Sequence, residues 1–403
     1  MSAASLRVAL FTHSVNPRGG VVHTLELARA LHRQGHDVTV FAPAAHGERM
    51  FRETPCRVVL ANVAPLTYES HCDGAARLAA TIDARIVALK TALRVHGADH
   101  FDVLHAQDSI SGNALAEFVE EGAIRGFVRT VHHLDDFDDP RLAAWQRRAY
   151  READVVLCVS DAWTRHLRDT FDIVAQTVPN GVDAERYRHA SHAGLQHEAT
   201  LRTRFGIHGH PVVLAVGGIE ARKNTLMLLD AFAQLRASHA GAQLVIAGGA
   251  SLLDHDDYGR RFIERASQHR LAIGPGEPVV VTGPLDDAAM PGVFRIADVV
   301  PMVSVREGFG LVVLEALASG KPVVVSAIEP FTDYLCDDMC CWADPADAGS
   351  IARALVRALS PDSGIDFAHA VPALLQRFTW TASAARHAEI YRRWLCRQPA
   401  ATH

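Results

Sequence analysis

Residues 6–43 read "LRVALFTHSVNPRGGVVHTLELARALHRQGHDVTVFAP". The first apolar run reads as a strand and "NPRGG" as a loop; Val21, Leu25, Ala28 and Leu31 then recur at helical spacing. Gly35 stops that helix, and "HDVTVFAP" is a second strand. Strand, loop, amphipathic helix and strand make one Rossmann-type unit. The same order returns over 211–249 in "PVVLAVGGIEARKNTLMLLDAFAQLRASHAGAQLVIAGG", with Leu228, Phe232 and Leu235 along the helix. Further strand-like runs follow: "FDVLHAQ", "RGFVRTVHH" and "ADVVLCVS" in the first half, "EPVVVTG", "ADVVPMVSV" and "KPVVVSA" in the second. Helical patterns alternate with them. The expected fold is α/β, with two doubly wound Rossmann-like domains, residues 1–180 and 181–380, facing each other across a cleft. Segment 181–209, polar and His-rich, reads as the connection, and the helix over ~381–403 as one that crosses back to the first domain. Ligands of such sheets bind outside the carboxyl ends of the strands, so chemistry is sought in the loops that follow them.

Composition agrees with two domains. The chain has 403 residues, and 49% are hydrophobic, enough for sizeable cores. A net charge of -6 argues against a general nucleic-acid binder. Seven cysteines, at 56, 72, 158, 336, 340, 341 and 396, imply no disulfide framework, and Cys336, Cys340 and Cys341 lack a second Cys/His pair at zinc spacing. The opening apolar run is too short for a signal peptide, and no run approaches the ~20 residues of a membrane span, so a cytoplasmic protein is expected.

Residues 307–324, "EGFGLVVLEALASGKPVV", place Glu315 inside a run that is otherwise almost wholly apolar or glycine. A loop, "REGFG", leads into a helix from about Leu311 to Ser319, stopped by Gly320. Such a helix should be buried, and a buried carboxylate needs a partner: a backbone N–H, an arginine, or a ligand hydroxyl. Gly308 and Gly310 let backbone approach a ligand closely, and the first helical N–H groups favour a phosphate. Glu307 then lies just before that helix end and Glu315 roughly a turn and a half inside it, about 8 Å along the axis, so the two flank the phosphate site, as suits a diphosphate with polyhydroxyl groups at both ends. In "VGGIEARKN", Arg222 and Lys223 follow a strand and are candidates to hold a diphosphate, with solvated surface cations as the alternative. Gly19 and Gly20 suit either close approach to a phosphate or a tight turn; "RGGVVH" is not the dinucleotide fingerprint. His132 and His133 end a strand, with His132 placed to bond a sugar hydroxyl, and Asp135, Asp136, Asp138 and Asp139 read as a polar loop rather than a metal site. Basic faces with Arg77, Arg85, Lys90 and Arg94, and with Arg141, Arg147, Arg148 and Arg151, are solvated faces or a peripheral contact with an anionic membrane. His189, His192 and His197 in the connection are not expected to hold a metal.

Taken in order, these segments resemble the family 4 retaining glycosyltransferases of GT-B fold. "EGFGLVVLE" resembles their E-x7-E motif, "RGGVVHTLELARALHRQGHDVTV" their N-terminal glycine loop and first helix, and "ADVVLCVSDAWTRHL" and "VPNGVD" the lead into the second domain. The resemblance covers nearly the whole chain. It implies that Glu307 contacts the donor sugar, Glu315 the nucleotide ribose, Gly308, Phe309, Gly310 and Leu311 the phosphates, and Lys223 the diphosphate, with Gly20 near the phosphate and His132 near the reacting sugar. Family members resemble one another in retaining anomeric configuration without a metal or other cofactor. One position departs: where the family often has arginine five residues before the lysine, this chain has Gly218, and adjacent Arg222 is the candidate for the missing cation. The implied activity is transfer of a hexosyl-type group from a nucleotide-diphosphate sugar to an acceptor hydroxyl of a lipid, glycan or small metabolite. The alternatives are an epimerase or phosphorylase on the same fold, or a non-catalytic nucleotide-sugar-binding protein.

Overall fold

The computed structural model describes residues 4–66, 74–188, 192–248 and 256–397. The chain divides into two compact units, Met1–Gly181 with Trp380–His403, and Val182–Thr379. In unit 1, β1 (Arg7–Phe11), β2 (Asp37–Ala44), β3 (Arg57–Asn62), β4 (Val103–Ala106), β5 (Val128–Val131), β6 (Val155–Cys158) and β7 (Ala175–Thr177) pair in parallel, in the order β3-β2-β1-β4-β5-β6-β7. The order reverses between β1 and β4, the place where such sheets bind ligands. Helices α1 (Gly19–Arg33), α2 (Gly74–His96), α3 (Ser109–Glu120), α4 (Pro140–Arg151) and α5 (Asp161–Phe171) supply the crossovers. Covered on both faces, the central strands are continuous apolar runs: Val8, Ala9, Leu10 and Phe11 are fully buried. Val21, Leu25, Ala28 and Leu31 of α1 are buried, as their spacing predicts, and Gly35 follows the helix at φ 87°. Gly19 and Gly20, however, do not belong to a loop ahead of that helix. They are its first two residues, with Arg18 as N-cap.

Unit 2 opens with α6 (Ala184–Arg188) and α7 (His192–Phe205), then β8 (Val212–Val216), α8 (Thr225–Ser238), β9 (Gln243–Ala247), α9 (Asp256–Gln268), β10 (Val279–Gly283), α10 (Met290–Ile296), β11 (Val300–Met302), α11 (Leu311–Ala318), β12 (Val323–Ser326), β13 (Cys341–Ala343), α12 (Ala348–Leu359) and α13 (Ala370–Arg377). The parallel rows β10-β9-β8 and β11-β12-β13 join where the Leu214 N–H donates to the Val299 carbonyl at 3.0 Å. The stretch 181–209 is therefore more than a connection: α6 packs on α11 and α7 on α10. The core beneath α8 gathers Leu228, Phe232 and Leu235 with Leu244 and Ile246 of β9. The last helix, α14 (Trp380–Arg397), belongs to unit 1 and packs along α1. No helix among the described residues is long and apolar enough to cross a membrane.

Candidate functional site

Two loops at the carboxyl ends of β8 and β11 meet in unit 2. Asn224, in the left-handed region at φ 59°, caps α8, and its Nδ2 donates to the carbonyls of Val303 (3.1 Å) and Pro345 (2.8 Å). That clamp fixes the preceding Arg222 and Lys223 against Glu307. Lys223 Nζ lies 2.8 Å from Glu307 Oε2, Arg222 Nη1 lies 3.2 Å from both carboxylate oxygens, and the Gly308 N–H donates to Oε1 at 3.1 Å. Burial alone would raise the Glu307 carboxyl; the charges of Lys223 and Arg222 outweigh it and hold the group well below the usual carboxylate range. Burial draws Lys223 down, against the opposing pull of Glu307. Glu220 Oε2 lies 3.6 Å from Arg222 Nη2, so the two cations stand between two carboxylates at the mouth of a helix. Arg222, four residues after Gly218, is the cation that the structure sets beside Lys223 on Glu307.

Gly310 is the N-cap of α11 at φ 88°, and a Cβ there would lie 2.3 Å from the Phe331 ring. Both facts demand glycine. The Tyr334 hydroxyl donates to the Phe309 carbonyl at 2.7 Å and its ring stacks on Phe309, so the turn 308–311 is held from behind at a helix start, an end that favours an anion. α11 is not buried all round. Leu311, Val312, Glu315 and Ser319, spaced along one side, are half-exposed, while Val313, Leu314, Ala316, Leu317 and Ala318 are buried. Glu315 thus stands on the open stripe, and it has a protein partner that sequence reasoning missed: the Tyr187 hydroxyl of α6 donates to its Oε1 at 2.8 Å. That partner lies far away in the chain, and its only local signal was an aromatic residue in a segment read as a connection.

His132 lies directly after β5 in unit 1, half-buried, in edge contact with the His23 ring at 4.6 Å between centroids. A Cβ added to Gly20 would come 3.4 Å from its Cδ2. Neither Gly19 nor Gly20 has a positive φ, so no tight turn explains them. Burial, reinforced by neighbouring His23 and Arg129, pushes the His132 imidazole well below its ordinary value, so it is neutral at physiological pH. Among the aspartates that follow, Asp135 lies 3.4 Å from His133, and Asp139 caps α4 and pairs with Arg141. No group of three or more His, Cys, Asp or Glu placed to hold a metal occurs among the described residues. The basic faces meet the acids of α3: Lys90 pairs with Glu117 and Glu121, Arg94 with Glu121, and Arg148 with Glu120. His189 and Cys72 lie outside the described residues.

Comparison with known proteins bears on family and fold. The family "Glycosyl transferases group 1" matches residues 198–366 and "Glycosyltransferase Family 4" matches residues 17–186. The chain is 28% identical to the D-inositol 3-phosphate glycosyltransferase of Xylanimonas cellulosilytica, over 95% of this chain and 93% of that protein. It is 29% identical to mannosylfructose-phosphate synthase of Agrobacterium fabrum, over 44% of this chain and 38% of that one. Sucrose-phosphate synthase from Thermosynechococcus elongatus has the same fold, with a TM-score of 0.76 at 22% identity, covering 98% of this chain and 100% of that one. HepE from Anabaena, solved in complex with UDP-glucose, follows at 0.73 and 17%, covering 96% and 100%. The fold is GT-B, and with one family match on each half, the chain belongs to the family 4, group 1 glycosyltransferases.

Proposed function

We propose that the protein is a retaining, metal-independent hexosyltransferase that takes its sugar from a nucleotide diphosphate. The observation that carries this reading is the Lys223–Glu307–Arg222 cluster at the start of α11. The donor diphosphate would take the two cations and the turn 308–311, leaving Glu307 to read the sugar and Glu315 the ribose. Fixed cations aimed at the leaving group stabilise its charge as the bond breaks, which supplies the positive charge a metal would otherwise bring. In the step itself the acceptor oxygen bonds to the anomeric carbon on the face the diphosphate leaves. The bond from that carbon to the phosphate oxygen breaks, and the acceptor proton passes to the departing diphosphate. Neutral His132 would hydrogen-bond the sugar. Exclusion of water protects the donor from hydrolysis.

Thermal shift and turnover against UDP-, GDP-, ADP- and dTDP-sugars test this reading. At least one should raise the melting temperature and be consumed with retention at the anomeric carbon, in the presence of chelator. If none binds or turns over, the reading fails; an inverted product removes the retaining part alone. Glu307→Ala should abolish transfer while nucleoside diphosphate binding persists, because the two cations remain.

A further inference from the structure

The two members of the Lys223–Glu307 pair are not equally supported. Behind Glu307, the fully buried Ser304 Oγ lies 3.4 Å from Oε2, and Ser326 Oγ donates to the Ser304 carbonyl at 2.8 Å. No protein hydroxyl meets Lys223 in this way among the described residues. Its Nζ lies 2.8 Å from Glu307 Oε2 and 4.0 Å from Met302 Sδ, a weak acceptor, although an ammonium carries three N–H donors. Its stem runs over Gly217, where an added Cβ would come 3.4 Å from Lys223 Cε. Burial draws the ammonium down, Glu307 and Glu220 favour its charge, and Arg222 opposes it. A lysine held in that balance is sensitive to each further acceptor around it.

Thr225 supplies a hydroxyl nearby. It is the first residue of α8 and 3% exposed, and its Oγ1 is buried without a hydrogen-bond partner among the described residues. Thr225 and Lys223 line one small cavity at the carboxyl ends of β8 and β11, whose wall includes Gly217, Gly218, Met302 and Val303. It has room for about one water molecule. A buried hydroxyl without a partner is destabilising, as is a buried ammonium with an N–H unanswered, and one water between the two satisfies both. We infer that Thr225 is a positioning residue for the transfer: through one water that accepts from Lys223 Nζ and donates to Thr225 Oγ1, it holds the ammonium charged and aimed at the diphosphate. For its role in transfer the inference rests on the transferase reading; the contacts behind Lys223 stand apart from it.

Two measurements on the whole chain test it. Trace acetylation by acetic anhydride, followed at Lys223 by mass spectrometry across pH, reads the titration midpoint of that lysine without any ligand. An oxygen that accepts from an ammonium favours the charged form, so Thr225→Val, which keeps the shape and removes the hydroxyl, should lower the midpoint by about half a pH unit or more. Thr225→Ser should restore it to within about 0.2 unit. Isothermal titration with UDP, GDP, ADP and dTDP should show Thr225→Val binding its preferred diphosphate about fivefold more weakly or worse, again with recovery in Thr225→Ser. A merely structural threonine would leave the Lys223 midpoint where it is. An unchanged midpoint, a fall that serine does not restore, or an unchanged diphosphate affinity overturns the inference. Should Thr225→Val not fold, a crystal structure of the unaltered protein decides: a water within about 3.2 Å of both Nζ and Oγ1 supports the bridge, and a dry cavity overturns it. If no nucleoside diphosphate binds even the unaltered protein, the transferase reading fails, and the labelling midpoint still decides what Thr225 does to Lys223.

Discussion

Glu315 shows how a single side chain can be misjudged from its neighbours in sequence. An apolar run suggested a buried carboxylate, yet Glu315 is half-exposed, on the one stripe of α11 not covered by protein. The Tyr187 hydroxyl donates to its Oε1 and sets the orientation of the carboxylate. Tyr187→Phe should cost about 1 kcal/mol of stability and raise the KM for the donor several-fold while kcat changes little, because Glu315 would lose its orientation rather than its charge. Steady-state kinetics beside a denaturant melt check this; an unchanged KM would remove Glu315 from donor binding. Glu307 and Glu315 were legible in the sequence because they sit on one loop and the helix it starts. Tyr187 was not, because the bond spans elements that only folding brings together. Arg222 was legible as a cation after a strand, but its geometry on Glu307 depends on the Asn224 clamp, made to carbonyls in two other loops.

At the scale of elements, two glycine-bearing helix starts do different jobs. Gly310 is structural as well as functional: a methyl group there would be strained at φ 88° and would collide with Phe331. Gly310→Ala should therefore destabilise unit 2 by about 2–4 kcal/mol. Gly20 has ordinary helical geometry, and the space around it admits a Cβ at normal contact distance from His132. Alanine there should leave stability unchanged or raise it by up to about 1 kcal/mol. If a ligand uses that space, Gly20→Ala should nonetheless lower turnover at least tenfold. Parallel thermal melts and rate measurements on the two variants separate the cases, and full activity in Gly20→Ala would assign that glycine no role in binding. The helical periodicity of α1 was readable from the sequence, but its first residue was not. "RGG" carries no capping side chain, and Arg18 makes no side-chain cap bond, so nothing local marks where the helix begins.

Across the whole molecule, a set of histidines ties the ends of the chain into unit 1. His23 of α1 bonds Asn180 at 2.8 Å, His105 of β4 bonds Tyr391 of α14 at 2.6 Å and Thr130 at 2.8 Å, and His387 of α14 bonds the Ser383 carbonyl at 2.8 Å. Burial lowers His23 from 6.5 to about 3, with His387 adding to the fall, and lowers His387 to about 4. Below pH 6.5 the unfolded chain takes up protons that these folded imidazoles refuse, so stability rises with pH across that window and is lost on acidification. One such histidine should cost roughly 2 kcal/mol by pH 5. Denaturant titrations at pH 7 and pH 5 should show the difference, and His387→Asn should flatten it; a slope unaffected by that change would place the proton uptake elsewhere. The sequence by itself determined the two Rossmann-like units and the loop-helix that carries Glu307 through Glu315, because period, glycine placement and strand-to-loop order are local properties. Tertiary structure alone decided which charges are answered and which are not: Arg222 on Glu307, Tyr187 on Glu315, and Arg129, buried in β5, with Nε and Nη1 unpaired among the described residues. Pairing and burial depend on residues distant in the chain, and no window of sequence contains both partners.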